Sequence, residues 1–235
     1  MALNSLFKLE ICCYSAESAL IAQDASADRI ELCAELRVGG LTPSEDLMRM
    51  ARERVKVPIF AMIRPRAGDF VYSPHELARM RRDIATARRM GMDGIVLGVL
   101  TGNRRVDVAR TRELLKAAEP LPVTFHRAFD EAADLDIALQ DVIETGAARI
   151  LTSGGATAAP AGIERLAHLV AAASDSILIL PGGGINASNA LEVARQTGAR
   201  EVHSGLGSVL AYGRQDYELF ESEVRKLAAQ LALAT

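Results

Sequence analysis

The 235-residue chain lacks the features that would place it outside the cell, in a membrane or on nucleic acid. It has only three cysteines, two of them adjacent, which is too few for a disulfide framework and favours a reducing cytoplasm. Its 27 basic and 30 acidic residues leave no positive excess to attract nucleic acid. No apolar run approaches the ~18 residues of a membrane helix, and the first twenty residues lack a signal-peptide pattern. We therefore expect a cytoplasmic protein with no membrane or nucleic-acid partner.

The composition is that of a folded globular protein. Hydrophobic residues make up 49% of the chain and charged residues 24%, so a sizeable core can be buried. The length fits one large domain or two small ones. Because the sequence contains no linker, low-complexity tract or long charge run, we expect a single domain over residues 1–235.

Eight short apolar or β-branched runs recur along the chain, and each gap between them holds one helix-length segment. This alternation predicts parallel βαβ units. The predicted strands are 7–13, 28–33, 58–63, 93–100, 121–127, 148–153, 177–181 and 200–204. Eight such units in a chain of this length indicate a single (β/α)8 TIM barrel, whose typical length is ~250 residues. The alternative, an open doubly wound sheet, is disfavoured because no dinucleotide-binding fingerprint follows the first strand.

Local signals predict where the helices begin and end. Residues 42–45 (TPSE) and 73–76 (SPHE) read as capping boxes with proline at the first helical position. Asn186 is expected to cap a helix that runs to about Thr197. Glycines that favour a left-handed conformation are expected to end three helices, at Gly91, Gly146 and Gly198. An apolar stripe on the last helix would close onto the core, through Tyr217, Phe220, Val224, Leu227 and Leu231.

The first two strands carry the same inward-facing pattern. Glu10 and Cys12 on the first strand, and Glu31 and Cys33 on the second, alternate with apolar residues that should face the helices. The two carboxylates and two thiols would then lie near the carboxyl-end mouth, where barrels of this kind hold their active sites. Ion pairing is the alternative role for the carboxylates. The thiols are either small buried core residues or ligands of a soft metal.

Further polar side chains follow other strand ends. Arg64 follows the third strand, His126, Arg127 and Asp130 lie at or beyond the end of the fifth, and His203 lies in the eighth. Such residues suit a solvated mouth, although some of them could simply close the structure. Because His126 heads a cluster with two charged residues, we favour a functional role for it. Together with the inward carboxylates, these five residues are the candidates for catalysis.

Two glycine-rich loops follow the last two strands. Gly182, Gly183 and Gly184 come after the seventh strand and Gly205 after the eighth. In this fold, these loops often bind a phosphate through backbone N–H groups and a helix N-terminus, so we predict an anion site there. Simple tight turns are the alternative. No lysine lies near the predicted mouth, which disfavours Schiff-base chemistry.

Six segments carry longer motifs, in order from the first strand to the eighth. They are LEICCYSAESALIAQDASADRIELCAELRVGGLTPS, IRPRAGDFVYS, GVLTGNRRVD, VTFHRAFD, RILTSGG and EVHSG. Together they resemble the CutC copper homeostasis family. The resemblance implies a single TIM barrel, a cytoplasmic location and a role in copper tolerance, storage or trafficking. It also implies copper binding, with Cys12 and Cys33 as the matching thiols. Many relatives carry a longer segment where this chain has HSGLGSVLAYGRQ before its last helix.

Two functional hypotheses follow. The first is a Cu(I)-binding protein in which Cys12 and Cys33 supply thiolates and Met62 a weak thioether. The second is an uncharacterised enzyme of isomerase, lyase or hydrolase type that acts on a small anionic metabolite, phosphorylated if the glycine loops hold a phosphate. In it a carboxylate acts as general base, His126 acts as general acid or as a ligand of a hard divalent metal, and the arginines bind the anion. A third reading is a barrel that acts through its outer surface, and a homo-oligomer is expected because barrels associate through their helices.

Overall fold

Residues 6–206 and 216–233 are described by the computed structural model of the chain. Eight strands in this part of the chain pair in parallel, in the order β7-β6-β5-β4-β3-β2-β1-β8. The strands are β1 (Lys8–Cys13), β2 (Arg29–Leu32), β3 (Ile59–Met62), β4 (Gly94–Leu97), β5 (Val123–Phe125), β6 (Arg149–Thr152), β7 (Leu178–Pro181) and β8 (Glu201–Ser204). A parallel bridge between Gly182 and His203 joins the two outer strands and closes the ring. The predicted (β/α)8 barrel is therefore confirmed, and each strand lies within its predicted range. The single-domain boundary over 1–235 stays a prediction.

Helices cover the outside of this ring. In the described residues they are α1 (Ala16–Asp24), α2 (Glu45–Arg54), α3 (Pro74–Arg89), α4 (Val108–Ala118), α5 (Leu135–Thr145), α6 (Ile163–Ala173), α7 (Ala190–Thr197) and α8 (Tyr217–Ala232). Outward apolar residues of the strands, such as Leu9, Ile11 and Ile30, pack with the helices in one large buried cluster. A smaller apolar cluster of Cys12, Cys33, Phe60, Met62 and Val96 fills part of the barrel interior. None of these helices combines the length and the apolar character needed to cross a membrane.

Of the two predicted capping boxes, the one at residues 73–76 is confirmed and the one at residues 42–45 is wrong in position. Ser73 caps α3 in a complete capping box with Pro74 as its first residue. The cap of α2, however, is Ser44 and not Thr42. Thr42 is engaged elsewhere, since its Oγ1 accepts a hydrogen bond from the backbone N–H of Arg64 at 2.9 Å. The hydroxyl that was predicted to cap α2 instead fastens the loop after β2 to the end of β3.

The prediction that Asn186 caps a helix is wrong. Its Oδ1 accepts a hydrogen bond from the backbone N–H of Ser188 at 2.9 Å, which makes a local turn, and α7 begins only at Ala190 with Asn189 as its cap. Asparagine competes with helix formation in this way because its side chain can bond to backbone two residues ahead. The glycine loop after β7 is therefore separated from the helix N-terminus that was expected to adjoin it.

The predicted helix ends and the last apolar stripe are confirmed. Gly146 and Gly198 cap α5 and α7 in the left-handed conformation, with φ of 86° and 72°, and Gly91 adopts φ of 73° just after α3. The stripe of α8 is buried at Phe220, Val224, Leu227 and Leu231. Most of the short segment before α8 lies at 207–215, outside the described residues.

Candidate functional site

The carboxyl ends of the strands surround a cavity of about 660 Å³. Most of the side chains predicted for a site line this cavity, although Glu10, Cys33 and Gly182 do not. The predicted residues that line it are Cys12, Glu31, Arg64, His126, Arg127, Asp130, Gly183, Gly184, His203 and Gly205. As the strand alternation predicts, side chains from distant parts of the chain meet at one opening. The roles assigned to these side chains stay predictions.

Two carboxylates flank the imidazole of His203. On one side, Glu10 Oε1 lies 2.7 Å from His203 Nδ1, and on the other, Glu31 Oε2 lies 3.8 Å from His203 Nε2. Burial by itself lowers the pKa of His203, but the two carboxylates outweigh burial and raise it above the ordinary 6.5. Burial raises the pKa of Glu31, against the opposing charge of His203. Glu31 Oε1 is buried and has no hydrogen-bond partner among the described residues.

Glu10 lies one layer deeper than the cavity and is 1% exposed. Its Oε2 accepts a hydrogen bond from Arg29 Nε in a buried ion pair. Burial pushes the pKa of Glu10 upward, but the charges and hydrogen bonds of Arg29 and His203 lower it to about 2. Glu10 therefore remains ionised and orients His203 from below.

Two arginines of this deeper layer, Arg29 and Arg149, were not among the predicted site residues. Arg29 Nη2 lies 2.6 Å from Glu201 Oε2, and Arg149 Nε lies 3.1 Å from the same oxygen. Both guanidinium groups lie 5.1 Å from the centroid of the Phe60 ring. The sequence pattern could have indicated Arg29, because Arg29 lies two residues before Glu31 on the same strand and so points to the same side of the sheet.

The two inward thiols lie in contact. Cys12 Sγ and Cys33 Sγ are 3.3 Å apart, and both cysteines are reduced. Cys12 lines the cavity, whereas Cys33 is fully buried behind it beside Met62 in the smaller apolar cluster. The hydrogen bond with Cys33, burial and the neighbouring charges all raise the pKa of Cys12 well above its ordinary range. Cys13 faces the outer core.

His126 presents a neutral imidazole to the cavity. Its Nδ1 accepts a hydrogen bond from the backbone N–H of Ala128 at 3.2 Å, so the proton of the neutral ring sits on Nε2. Burial, assisted by the charge of Arg64, lowers the pKa of His126 to about 3. Gly98 makes room for the ring, since a Cβ there would lie 2.6 Å from Nδ1. Nε2 is buried without a hydrogen-bond partner among the described residues.

Arg64 lines the cavity but fastens the surrounding loops. Its Nη1 donates to the carbonyl of Val38 at 2.6 Å, and its Nη2 donates to the carbonyl of Gly68 at 2.9 Å. The guanidinium also lies over the Phe70 ring, 4.8 Å from the centroid. Because its guanidinium is occupied by these contacts, Arg64 is better placed to hold the loops of the mouth together than to bind an anion.

Asp130 and Arg127 connect the loops after β5 and β6. Asp130 accepts hydrogen bonds from Arg127 Nε at 2.8 Å and from the backbone N–H groups of Ser153 and Gly155. Arg127 Nη2 donates to Ser153 Oγ at 2.9 Å. Its Nη1 lies beside Gly183, where a Cβ would come within 3.1 Å of it. Asp130 therefore holds this wall in place, and Arg127 offers a cation at the rim.

The glycine run after β7 divides into two parts. Gly183 and Gly184 line the cavity with φ of 95° and 71°, a conformation that favours glycine. Gly182 instead packs against Leu151, where a Cβ would lie 2.4 Å from Cδ1. Gly205 reaches the cavity from the loop after β8. The anion site predicted for these glycines stays a prediction, with Arg127 as the neighbouring positive charge.

The fold and the mouth together define a (β/α)8-barrel protein with thiol, carboxylate and imidazole groups converging at the carboxyl ends of β1, β2 and β8. The sequence model of the CutC family matches residues 7–208. The chain belongs to the CutC family, which confirms the resemblance read from its motifs.

Bacterial relatives are similar over most of this chain. A family protein CutC from Salmonella newport is 48% identical over 202 residues, which is 86% of this chain and 81% of that protein. A family protein CutC from Chromobacterium violaceum is 43% identical over 226 residues, covering 94% of this chain and 92% of that protein. A crystal structure from Streptococcus agalactiae, provisionally assigned as the copper homeostasis protein CutC, superposes with a TM-score of 0.80 at 33% identity, covering 84% of this chain and 98% of that one.

Proposed function

We propose that the protein acts in copper homeostasis by binding Cu(I) between Cys12 and Cys33. The observation that carries this proposal is the pair of reduced sulfur atoms, 3.3 Å apart, at the inner end of the cavity. A thiolate pair is the ligand set that soft Cu(I) prefers. The relative from Streptococcus agalactiae, provisionally assigned to copper homeostasis, supports the same role.

The surroundings of the two sulfurs suit a soft ion. Met62 belongs to the same buried cluster and lines the cavity, so its thioether is available as a weak third ligand. Because Cys12 lines the cavity and Cys33 lies behind it, the ion reaches Cys12 first. A cytoplasmic location and a homo-oligomeric state belong to the same proposal.

A competition titration with a Cu(I) chelator, in oxygen-free and reducing buffer, tests this function. We expect the Cys12→Ser/Cys33→Ser double variant to lose most of the Cu(I) affinity of the wild type. The matched control is Cys13→Ser, because Cys13 is equally buried but faces the helices. Equal, weak binding by the wild type and the double variant would refute copper binding at this pair.

A second candidate function is an enzyme that acts on a small metabolite in the same cavity. Two buried atoms on its walls, His126 Nε2 and Glu31 Oε1, have no hydrogen-bond partner among the described residues. Such atoms are costly unless a ligand or water satisfies them. The cavity of about 660 Å³ is within the ordinary range for small-molecule sites.

The residues on the walls fit particular chemical roles. The neutral His126 Nε2–H can donate a hydrogen bond to a carbonyl oxygen or a leaving group, and Glu31 can accept a proton. Arg127 at the rim can bind a carboxylate or phosphate. Isomerase, lyase and hydrolase chemistry all fit this set of groups.

A metabolite screen read by thermal shift tests the second candidate. We expect at least one small polar anion to stabilise the wild type and to lose that effect in His126→Ala. His168→Ala is the control, because His168 lies on the surface and pairs with Asp136. If no compound stabilises the wild type at saturating concentration, the metabolite function is contradicted.

A further inference from the structure

We infer that Cys12, Glu31 and His203 form a site for a borderline divalent metal ion of the Zn²⁺ type, with an open position that faces the cavity. One ligand atom from each of the three residues lies within 4.8 Å of the other two. The site shares Cys12 with the proposed Cu(I) pair but uses Glu31 and His203 in place of Cys33. It stands whether or not the protein binds Cu(I).

The sheet itself assembles these three residues. They lie on the adjacent strands β8, β1 and β2, where Cys12 is the register partner of Glu31 and Glu10 is the register partner of His203. Ligands held by Zn²⁺ at about 2.0–2.3 Å in tetrahedral geometry stand roughly 3.3–3.8 Å apart. His203 Nε2 and Glu31 Oε2 are 3.8 Å apart, so this pair has to close by about 0.4 Å to reach the spacing of nitrogen and oxygen ligands on Zn²⁺. The thiol of Cys12, which lies within 4.8 Å of the other two ligand atoms, has to approach by no more than about 1.3 Å for the same geometry.

The orientation of His203 is that of a metal ligand. Its Nδ1 is held by Glu10 Oε1 at 2.7 Å, which leaves Nε2 on the side of Glu31 and Cys12. A carboxylate that accepts the other ring N–H is the usual second partner of a metal-binding histidine. Arg29 in turn fixes Glu10 through a buried ion pair. The supporting partners of a metal site are therefore already in place.

Charge favours a divalent ion over a proton or a monovalent one. Glu10 and Glu201 each pair with a buried arginine, whereas the nearest cationic partner of Glu31 among the described residues is His203 at 3.8 Å, beyond hydrogen-bond distance. An unsatisfied buried carboxylate oxygen is costly. A Cys12 thiolate and a Glu31 carboxylate supply two negative charges, which a divalent ion balances. Cu(I) between two thiolates would leave one negative charge beside Glu31.

Access favours the same three ligands. Cys12, Glu31 and His203 all line the cavity, whereas Cys33 does not. An ion that enters from the cavity therefore meets the thiol, the carboxylate and the imidazole before it meets the second sulfur. Three protein ligands with a fourth position open to a cavity is the arrangement of zinc sites that bind substrate or water.

A titration of the reduced protein with Co²⁺, followed by displacement with Zn²⁺, tests the site. We expect one equivalent of Co²⁺ to bind with thiolate-to-cobalt absorption that Cys12→Ser abolishes. Zn²⁺ affinity should fall by at least roughly 10–100-fold in Glu31→Gln and in His203→Gln, because the loss of a residue that only supports a ligand already costs that much. Cys33→Ser and the outward-facing control Cys13→Ser should retain the affinity of the wild type within about threefold. Thermal unfolding checks that each variant is folded. If His203→Gln does not fold, Glu31→Gln decides the outcome, because it keeps the size of the side chain.

A parallel Cu(I) titration of the same variants separates this inference from the proposed copper function. His203→Gln should lose Zn²⁺ and keep Cu(I), and Cys33→Ser should lose Cu(I) and keep Zn²⁺. Failure of Cu(I) to bind the wild type would refute the copper function alone. The divalent site is overturned if no stoichiometric Co²⁺ binds, or if Cys33→Ser loses as much Zn²⁺ affinity as His203→Gln.

Discussion

Replacing Arg29 by methionine should destabilise the barrel by leaving buried carboxylates without their cation. Arg29 bonds to Glu10 through Nε and to Glu201 through Nη2, and its side chain is 6% exposed. Removing one partner of a buried ion pair costs about 3–5 kcal/mol, because the remaining charge is uncompensated. Glu201 keeps Arg149 and Glu10 keeps His203, so we expect the lower end, about 3 kcal/mol.

The loss should depend on pH in a defined direction. In the wild type the pKa of Glu10 is lowered from 4.5 to about 2, so its ionisation stabilises the fold above pH 4.5, and this contribution is lost as the pH falls through 2. Arg29→Met removes the main charge that lowers this pKa. The difference in unfolding free energy between wild type and variant should therefore be largest at neutral pH and shrink as the pH falls toward 2.

Urea denaturation of both proteins at pH 7 and pH 3 measures this effect. The double variant Glu10→Gln/Arg29→Met should recover part of the loss at pH 7, because it removes the uncompensated charge. A loss below about 1 kcal/mol at pH 7, or an equal loss at pH 3, would refute the reasoning.

Three further predictions follow from the cavity. In NMR spectra between pH 5 and 8, His126 should stay neutral with its proton on Nε2, because its pKa is about 3. His203 should titrate at a higher pH than an ordinary histidine, because its two carboxylates raise its pKa. Titration of His126 near pH 6.5 would contradict this assignment. Gly98→Ala should displace the His126 ring and lower the free energy of unfolding by about 1–3 kcal/mol in denaturant unfolding. The control Gly102→Ala, where a Cβ meets nothing within 4 Å, should have little effect. Equal effects of the two substitutions would contradict the close packing of Gly98 against His126. Because the pKa of Cys12 is raised, its thiol has to lose a proton when a metal binds, so metal affinity should increase as the pH rises. Calorimetry in buffers of different ionisation enthalpy measures this proton release. An absence of proton release would contradict Cys12 as a ligand.

Much of the fold could be predicted from the sequence because the relevant signals are local. The strand runs, the glycine helix ends and the inward alternation of Glu10, Cys12 and Glu31 each depend on neighbouring residues alone, and the structure agrees with them. The two wrong helix starts have identifiable causes, a tertiary contact for Thr42 and a local turn for Asn186. Thr42 bonds to the backbone of Arg64, and Asn186 makes a turn with Ser188 before α7 can begin.

The partners within the site were harder to predict because they depend on the register between strands. Alternation places Glu10 inside the barrel, but only the stagger of β1 against β2 and β8 puts it below the cavity, between Arg29 and His203. The same stagger places Cys12 beside Glu31 and makes the mixed ligand set. The sequence predicts which side chains face inward, and the height of each strand decides which of them meet.

X-ray absorption at the copper edge of the Cu(I)-loaded, reduced protein tests the central claim most directly. Binding between Cys12 and Cys33 predicts two short copper–thiolate distances in the wild type and one in Cys33→Ser, and any Met62 thioether would add a longer contact to both. A first shell of nitrogen and oxygen alone, or an unchanged sulfur count in Cys33→Ser, would contradict copper binding at this pair.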